Sequence, residues 1–148
     1  MFFYAIGIKF KFNFLFYKDD KIPICIKTIE ESVETLIQNK ASMAIRPHPF
    51  LNGNLLYEFG EAMLQPRYKS QMKNIVTYIT EELKNGLNFE CQMYATGTIL
   101  RNMQHSETVK INNIWWEHIN RCGIECQISF NVIAQKFNSI ILLPHKLD

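Results

Sequence analysis

Two adjacent aspartates, Asp19 and Asp20, are the carboxylates of this 148-residue sequence best placed to bind a hard divalent cation. They follow an apolar, strictly alternating segment, and ligands of open α/β sheets bind where strands end. The sequence holds one other aspartate, its final residue Asp148. One interpretation is a divalent metal site at Asp19 and Asp20, and the other is a solvated polar turn.

Three ligands suited to a softer metal, His118, Cys122 and Cys126, follow one another at intervals of four residues. Their spacing matches neither common zinc pattern, and Gly123 is expected to break the helix between the two cysteines. His118 and Cys122 also fall on a predicted apolar stripe, where packing accounts for both. Packing is therefore favoured over a zinc site and over a nucleophilic thiol at Cys126.

Four further side chains are candidates for contact with a ligand. Trp115 and Trp116 point about 100° apart on a helix, so Trp115 falls on the core stripe and Trp116 at its edge. Packing is the favoured interpretation of Trp116, and a stacking surface for a sugar or base is the alternative. His48, held between two prolines, either contacts a ligand or caps the backbone. Glu58 lies on a short predicted helix, where a solvated face is the simpler interpretation.

The elements that must position these residues alternate between strands and helices. Strict alternation from Ile6 to Phe16 predicts a first strand. Later strands are predicted over Ser42 to Arg46, Gln92 to Arg101 and Ser139 to Leu143. Such alternation of strands and helices indicates an α/β layered fold.

Helices are predicted from capping residues and from the spacing of apolar positions. They begin near Thr28, Asn54, Ser70, Ser106 and Cys126, and Pro66, Gly86 and Gly123 are read as stops. The stripe of the first helix is Ile29, Val33, Leu36 and Ile37, and that of the third is Met72, Ile75, Val76, Ile79 and Leu83. The segment from Cys126 to Phe137 is apolar nearly all round, which predicts a buried helix.

Composition narrows the class of protein. Hydrophobic residues make up 47% and charged residues 20%, a balance that excludes a disordered chain. The net charge of +2 is too small to indicate nucleic acid as a partner. No stretch reaches the roughly 18 uncharged residues of a spanning helix, and Lys9 and Lys11 interrupt the apolar N-terminus, which lacks the features of an export signal. We expect a single cytoplasmic domain with reduced cysteines.

The second half of the chain resembles a known family in the order of its motifs. A glycine-containing strand, Tyr94 to Arg101, ends in arginine; Trp115-Trp116-Glu117 lies on a helix; and Cys126-Gln127-Ile128-Ser129-Phe130 follows. Upstream, Arg46-Pro47-His48-Pro49 and Leu56-Tyr57-Glu58 resemble two further segments. Together these segments, over about residues 40 to 137, are similar to the glycosyltransferase-like domain of plant turgor-regulation and mucilage-related proteins and of bacterial capsular polysaccharide enzymes.

This resemblance implies a partial GT-A-like (Rossmann-like) fold, with a mixed sheet flanked by helices. It also implies transfer of a sugar from a nucleotide-sugar donor to a glycan acceptor, with Mn²⁺ or Mg²⁺ neutralising the diphosphate. Carried over by position, the catalytic residues are Glu117 and Gln127. The substrate-binding residues are His48, Glu58, Arg101, Trp116 and Lys146, and the metal ligands are Asp19, Asp20 and His145.

Two departures from the family pattern are evident. Where the family has Arg-Asp before the glutamine, this chain has Glu125-Cys126, so the carboxylate is displaced by one position. A thiol cannot replace it as a base or as a ligand of a hard cation. The N-terminal part is also short for a nucleotide-binding half, so we expect an N-terminally truncated glycosyltransferase-like domain with impaired catalysis. The alternative is a degenerate, non-enzymatic domain that binds glycan or a protein partner through Trp116.

Overall fold

The computed structural model describes residues 3–5, 13–18, 26–51 and 53–143, and within them the protein is α/β. The strands are β1 (Phe3–Ala5), β2 (Phe14–Lys18), β3 (Met43–Pro47), β4 (Tyr94–Asn102) and β5 (Ile140–Leu142). The helices are α1 (Ile26–Gln38), α2 (Leu55–Met63), α3 (Pro66–Lys69), α4 (Met72–Lys84), α5 (Ser106–Cys122) and α6 (Cys126–Ala134). Most predicted elements are confirmed to within two or three residues. Pro66 begins α3 instead of only ending α2, since proline suits the first position of a helix.

The chain forms two compact units. The sheet unit comprises Met1–Pro47, Ala95–Lys110 and Asn138–Asp148, and the helical unit comprises His48–Tyr94 and Ile111–Phe137.

The sheet unit contains a mixed sheet in the strand order β1-β2-β4-β3-β5. β2 pairs antiparallel with both β1 and β4, whereas β3 and β5 are parallel. Phe14 and Phe16 of β2 are buried and pack with α1, which confirms the inward face predicted from the alternation. The rest of the alternating segment, residues 6–12, lies outside the described residues.

Helix α1 covers this core with the predicted stripe, except at its last position. Ile29, Val33 and Leu36 are buried, but Ile37 is half exposed. Ile37 lies eight residues after Ile29, about 80° around the helix, so it falls at the edge of the stripe.

The helical unit packs α2, α4, α6 and the later part of α5 around a second core. Its buried members are Leu55, Ile75, Tyr78, Ile79, Met93, Cys122, Ile128 and Val132. Every residue of α6 from Ile128 to Ala134 is buried, which confirms the prediction of an all-apolar buried helix. The stripe predicted for α4 is wrong in part: Met72, Val76 and Leu83 are exposed. Tyr78 and Glu82 take the inward positions instead, because each satisfies its polar atoms there.

A polar network crosses this second core at Glu82, whose side chain is only 2% exposed. Its carboxylate accepts from Arg121 Nη2 at 2.8 Å and lies 3.3 Å from Lys136 Nζ. Burial alone would raise the pKa of Glu82, but the hydrogen bond from Arg121 and the charge of Lys136 outweigh it and lower that pKa. Next to it, the Tyr78 hydroxyl and His118 Nδ1 are hydrogen bonded at 2.8 Å. Glu82 thus joins α4, α5 and the segment after α6.

Replacing Glu82 with Gln should destabilise the protein at neutral pH, by about 1.5–3 kcal/mol, because hydrogen bonds to charged groups are lost in a buried place. A carboxyl with a lowered pKa stabilises above its unfolded value, 4.5, and loses that contribution as the pH falls through the folded value. The deficit measured by urea unfolding should therefore shrink below pH 4.5. Glu81→Gln is the matched control, since Glu81 contacts the same Arg121 from an exposed position; equal losses in both variants would contradict this account.

Gly123 ends α5 in a backbone conformation that favours glycine, with φ at +102°. A Cβ at this position would collide with Oε1 of Gln71, the atom that accepts the Ile124 N–H at 2.9 Å. The glycine therefore both allows the turn and makes room for the hydrogen bond that fixes the following segment.

We expect Gly123→Ala to lower the free energy of unfolding by about 1–3 kcal/mol through backbone strain and the clash. Gly60→Ala is the control, because Gly60 lies within α2 with open space around it and alanine favours a helix by about 1 kcal/mol. Thermal melts that rank Gly123→Ala at or above the Gly60→Ala protein would show that the turn is not constrained in this way.

Candidate functional site

His48 is held by its own backbone turn directly after β3. Its N–H donates to the Met93 carbonyl at 2.9 Å. Its ring Nδ1 accepts the N–H groups of Leu51 at 2.9 Å and Phe50 at 3.2 Å. Two donors at Nδ1 leave no place for a proton there, so the ring carries its proton on Nε2. Burial lowers the pKa of His48, although the nearby Glu58 charge opposes this. The ring is therefore neutral at pH 7, with Nε2–H as its outward-facing donor.

Glu58 lies opposite this donor, on α2. Asn54 starts the helix by accepting the Leu56 N–H at 2.8 Å, as the sequence predicted. Glu58 Oε2 lies 3.3 Å from His48 Nε2, at ion-pair distance, but accepts no well-aligned hydrogen bond from any described residue. The solvated-face interpretation of Glu58 was wrong, since the residue is 7% exposed whereas Glu61 on the same helix is open to solvent. A buried carboxylate oxygen without a well-aligned hydrogen bond is unusual in a folded protein.

Glu125 is a second buried carboxyl that interacts with Glu58. It is the N-cap of α6, where its Oε1 accepts the Gln127 N–H at 3.1 Å, and it is 5% exposed. Burial, followed by the negative charge of Glu58, raises the pKa of Glu125. The Gln127 N–H, the Tyr68 hydroxyl and the Arg67 charge act in the opposite direction without cancelling the shift.

Helix α3 places two polar side chains, Tyr68 and Arg67, near Glu125. Tyr68 donates a hydrogen bond to the Glu125 carboxylate, and burial raises the pKa of Tyr68, as does the Glu125 charge. The Arg67 guanidinium lies over the Tyr68 ring, 4.3 Å from its centre. We name His48, Glu58, Tyr68 and Glu125 the carboxylate cluster. It contains two carboxyls, one neutral imidazole donor and one phenol, which are groups suited to binding hydroxyls and exchanging protons.

The two adjacent tryptophans of α5 lie in different surroundings, as their positions on the helix predicted. Trp115 packs against Phe130, with ring centres 4.8 Å apart, and its Nε1–H points to the Cys126 carbonyl and Ser129 Oγ at 3.2 Å. Trp116 is 65% exposed, so its interpretation as a core-packing residue was wrong. Its ring is available for stacking.

The remaining sequence candidates are dispersed. Glu117 is exposed on α5, and Gln127 is half-buried in the first turn of α6, two residues after Glu125. Arg101 belongs to the sheet unit, where burial lowers its pKa to about 10 and leaves it charged at neutral pH.

The predicted metal ligands Asp19, Asp20 and His145, together with Lys146, lie outside the described residues. Within the ranges that the structure describes, no three histidine, cysteine, aspartate or glutamate side chains converge on a possible metal position.

The three residues weighed as zinc ligands have other roles. His118 bonds to Tyr78, and the buried Cys122 thiol donates to the Glu125 carbonyl at 3.8 Å. His118 and Cys122 are both buried, which agrees with the packing interpretation of these two residues.

The sequence indicated Glu125 only as a displaced carboxylate and not as a site residue, and it gave no indication of Tyr68. Glu125 carried only a weak signal, its position just before an apolar run, because glutamate is not among the preferred N-cap residues. Tyr68 had no such signal: its role depends on how α3 packs in three dimensions.

Among the helices of the described segments, none is both long enough and apolar enough to cross a bilayer. Comparison of the chain with protein-family models, with curated proteins and with solved structures found no match.

Proposed function

We propose that this chain is a glycosyltransferase-like domain of partial GT-A type. Its reaction would be transfer of a sugar from a nucleotide-sugar donor to a glycan acceptor in capsular or cell-surface polysaccharide synthesis, in the cytoplasm, with reduced catalytic efficiency. The α/β architecture is compatible with this proposal. The proposal does not involve nucleic acid.

The observation that supports the proposal is that His48, Glu58 and Glu125, which are far apart in the sequence, interact in the folded helical unit. His48 comes from the Arg46-Pro47-His48-Pro49 segment and Glu58 from Leu56-Tyr57-Glu58, and their side chains lie 3.3 Å apart. Glu125 precedes the Cys126 to Phe130 element and interacts electrostatically with Glu58. Segments that carry the sequence resemblance, or directly precede it, thus supply His48, Glu58 and Glu125 of the carboxylate cluster.

In the proposed reaction, the carboxylate cluster handles the acceptor hydroxyl. Glu58, 3.3 Å from His48 Nε2, accepts a hydrogen bond from the sugar with its carboxylate. Gln127, beside Glu125, and Glu117 are assigned to contacts at the reacting groups, and Trp116 to stacking on a sugar ring. From the sequence resemblance alone, Arg101 and Lys146 would contact the diphosphate, which needs positive charge.

Mn²⁺ or Mg²⁺ would stabilise the diphosphate leaving group when bound. The described residues do not themselves form a site that fits such a cation. Metal dependence therefore rests on Asp19, Asp20 and His145, and no step above is derived through a metal.

The proposal predicts binding of nucleotide sugars. Calorimetry with uridine, guanosine and cytidine diphosphate or monophosphate sugars should give heat with at least one donor in the presence of Mn²⁺ or Mg²⁺, and chelation should weaken it. Absence of binding across the panel at every metal concentration would count decisively against a glycosyltransferase-like domain.

Glu58→Gln should lower transfer of sugar by about 10²–10⁴-fold, the usual contribution of a proton-exchanging group, while leaving donor affinity within a few fold. Glu61→Gln is the control, because it makes the same change on the same helix at an exposed position. Product formation by mass spectrometry measures the effect; equal activity of the two variants would remove Glu58 from the site.

The exposure of Trp116 favours a second candidate function, binding of glycan without catalysis. Asn113 and Asn120 lie three residues before and four after it, on the same face of α5, and both are exposed. An aromatic ring flanked by amides has the composition needed to stack on a pyranose and bond its hydroxyls.

If this second function holds, Trp116→Ala should weaken binding on a glycan array by at least tenfold, and chelation should have no effect. Leu64→Ala removes a comparably exposed apolar side chain from the end of another helix and should leave binding unchanged. Undiminished glycan binding by the Trp116→Ala protein would discard this candidate.

A further inference from the structure

The imidazole ring of His48 has different partners at its two nitrogens. Nδ1 accepts the backbone N–H groups of Leu51 at 2.9 Å and Phe50 at 3.2 Å. Nε2 lies 3.3 Å from Glu58 Oε2, an oxygen that receives no well-aligned hydrogen bond from the described residues. The two backbone donors, and not the carboxylate, therefore determine how the ring is oriented.

The two sets of partners favour opposite protonation states of the ring. Nδ1 can accept two N–H groups only while it carries no proton, because an imidazolium has a hydrogen on each nitrogen and no lone pair. A proton added at Nδ1 would point at both backbone donors and would break both hydrogen bonds. The same proton would place a positive charge beside Glu58, and a charged donor at Nε2 forms a stronger hydrogen bond to a carboxylate than a neutral one does.

We propose that His48 is a pH-sensitive switch: the neutral ring holds the turn at residues 48–51 closed, and the imidazolium releases that turn and pairs with Glu58. In the closed state, the N–H groups of Phe50 and Leu51 are bonded and Glu58 Oε2 is under-satisfied. In the released state, Oε2 accepts from the imidazolium and the two N–H groups are open to solvent. The backbone N–H of His48, which donates to the Met93 carbonyl at 2.9 Å, does not involve the ring and anchors the start of the turn in both states.

The groups around the ring determine the pH at which the switch acts. The charge of Glu58 on α2 favours the imidazolium, but burial favours the neutral ring more strongly, so the pKa of His48 is lowered from its usual 6.5. Glu125, the N-cap of α6, interacts with Glu58, and Tyr68 and Arg67 from α3 act in turn on Glu125. The turn is therefore closed at neutral pH and is released below pH 6.5. This inference goes beyond the proposed function and does not depend on it.

Nitrogen NMR of the parent protein tests the switch directly. At pH 8, Nδ1 of His48 should have the chemical shift of an unprotonated nitrogen and Nε2 that of a protonated one. As the pH falls below 6.5, both shifts should become those of an imidazolium. At the same midpoint, the Phe50 and Leu51 amides should lose about tenfold of their hydrogen-exchange protection, relative to intrinsic rates, as each loses one hydrogen bond. A ring that titrates while both amides keep their protection, or that is protonated at Nδ1 at pH 8, would overturn the proposal.

Two substitutions of His48 separate the roles of its nitrogens. In His48→Asn, the side-chain oxygen reaches the position of Nδ1, so it can accept the N–H groups of the turn at every pH without titrating. In His48→Gln, the amide reaches the position of Nε2 and leaves the turn without its acceptor. The Phe50 and Leu51 amides should stay protected in acid in the first variant and lack protection at both pH values in the second. An acid response in His48→Asn with the parent's midpoint would show that another group operates the turn.

Glu58→Gln tests the partner of the released state. Glutamine keeps an oxygen at this position but no charge, so the imidazolium loses stabilisation and the ring and amide midpoints should move together to lower pH. Glu61→Gln, on the same helix at an exposed position, is the matched control and should leave both midpoints in place. Midpoints that are unchanged or higher in Glu58→Gln would refute the pairing of His48 with Glu58.

Discussion

The free-energy cost of burying negatively charged carboxylates is the main constraint on the helical unit. Three of its glutamates, Glu58, Glu82 and Glu125, are at most 7% exposed, and an isolated ionised carboxylate loses several kcal/mol of hydration when it is buried. Glu82 recovers this cost through Arg121 and Lys136, so its charge is the stable form and it serves the fold. Glu58 and Glu125 are compensated less completely: one faces a neutral imidazole, and the other faces a like charge. The difference in compensation, and not burial itself, is what makes Glu58 and Glu125 candidates for a site.

Sequence patterns were reliable where a single physical cause determines the outcome. Asn54 caps α2, Gly123 ends α5 and α6 is buried from Ile128 to Ala134, and each follows from local geometry or from the mainly apolar character of the segment. The buried face of α4 was harder to predict. Helical spacing fixes the angle between side chains, but it does not decide which of two overlapping apolar stripes faces the core. Tyr78 and Glu82 take the inward positions because they bond to His118 and Arg121. These partners lie about 40 residues away along the chain.

The candidate site was visible in part for the same reason. His48 and Glu58 stood out because short motifs surround them, yet nothing local showed that Glu58 is buried. Trp116 was expected to pack, since tryptophan buries a large area, whereas in the structure Trp115 packs against Phe130 and Trp116 is exposed. Residue type and spacing thus identified candidate groups, whereas tertiary contacts determined their burial and hence their chemistry.

Relative to the family pattern that the sequence resembles, the acidic residue is displaced by one position, and its place in the fold gives this difference a geometric consequence. Because α6 begins at Cys126, the residue at 125 is the N-cap and has non-helical dihedral angles, with φ at −79° and ψ at 76°. A carboxyl at the N-cap can bond the exposed N–H of Gln127 while facing Glu58 and Tyr68. A side chain at Cys126 leaves the helix from its first turn, in a different direction. Moving an acid between these two positions therefore changes its neighbours as well as its place in the sequence. The position at 125 places the carboxyl in a buried location within reach of the Glu58 charge, and both effects raise its pKa, so the arrangement costs stability when both groups are ionised.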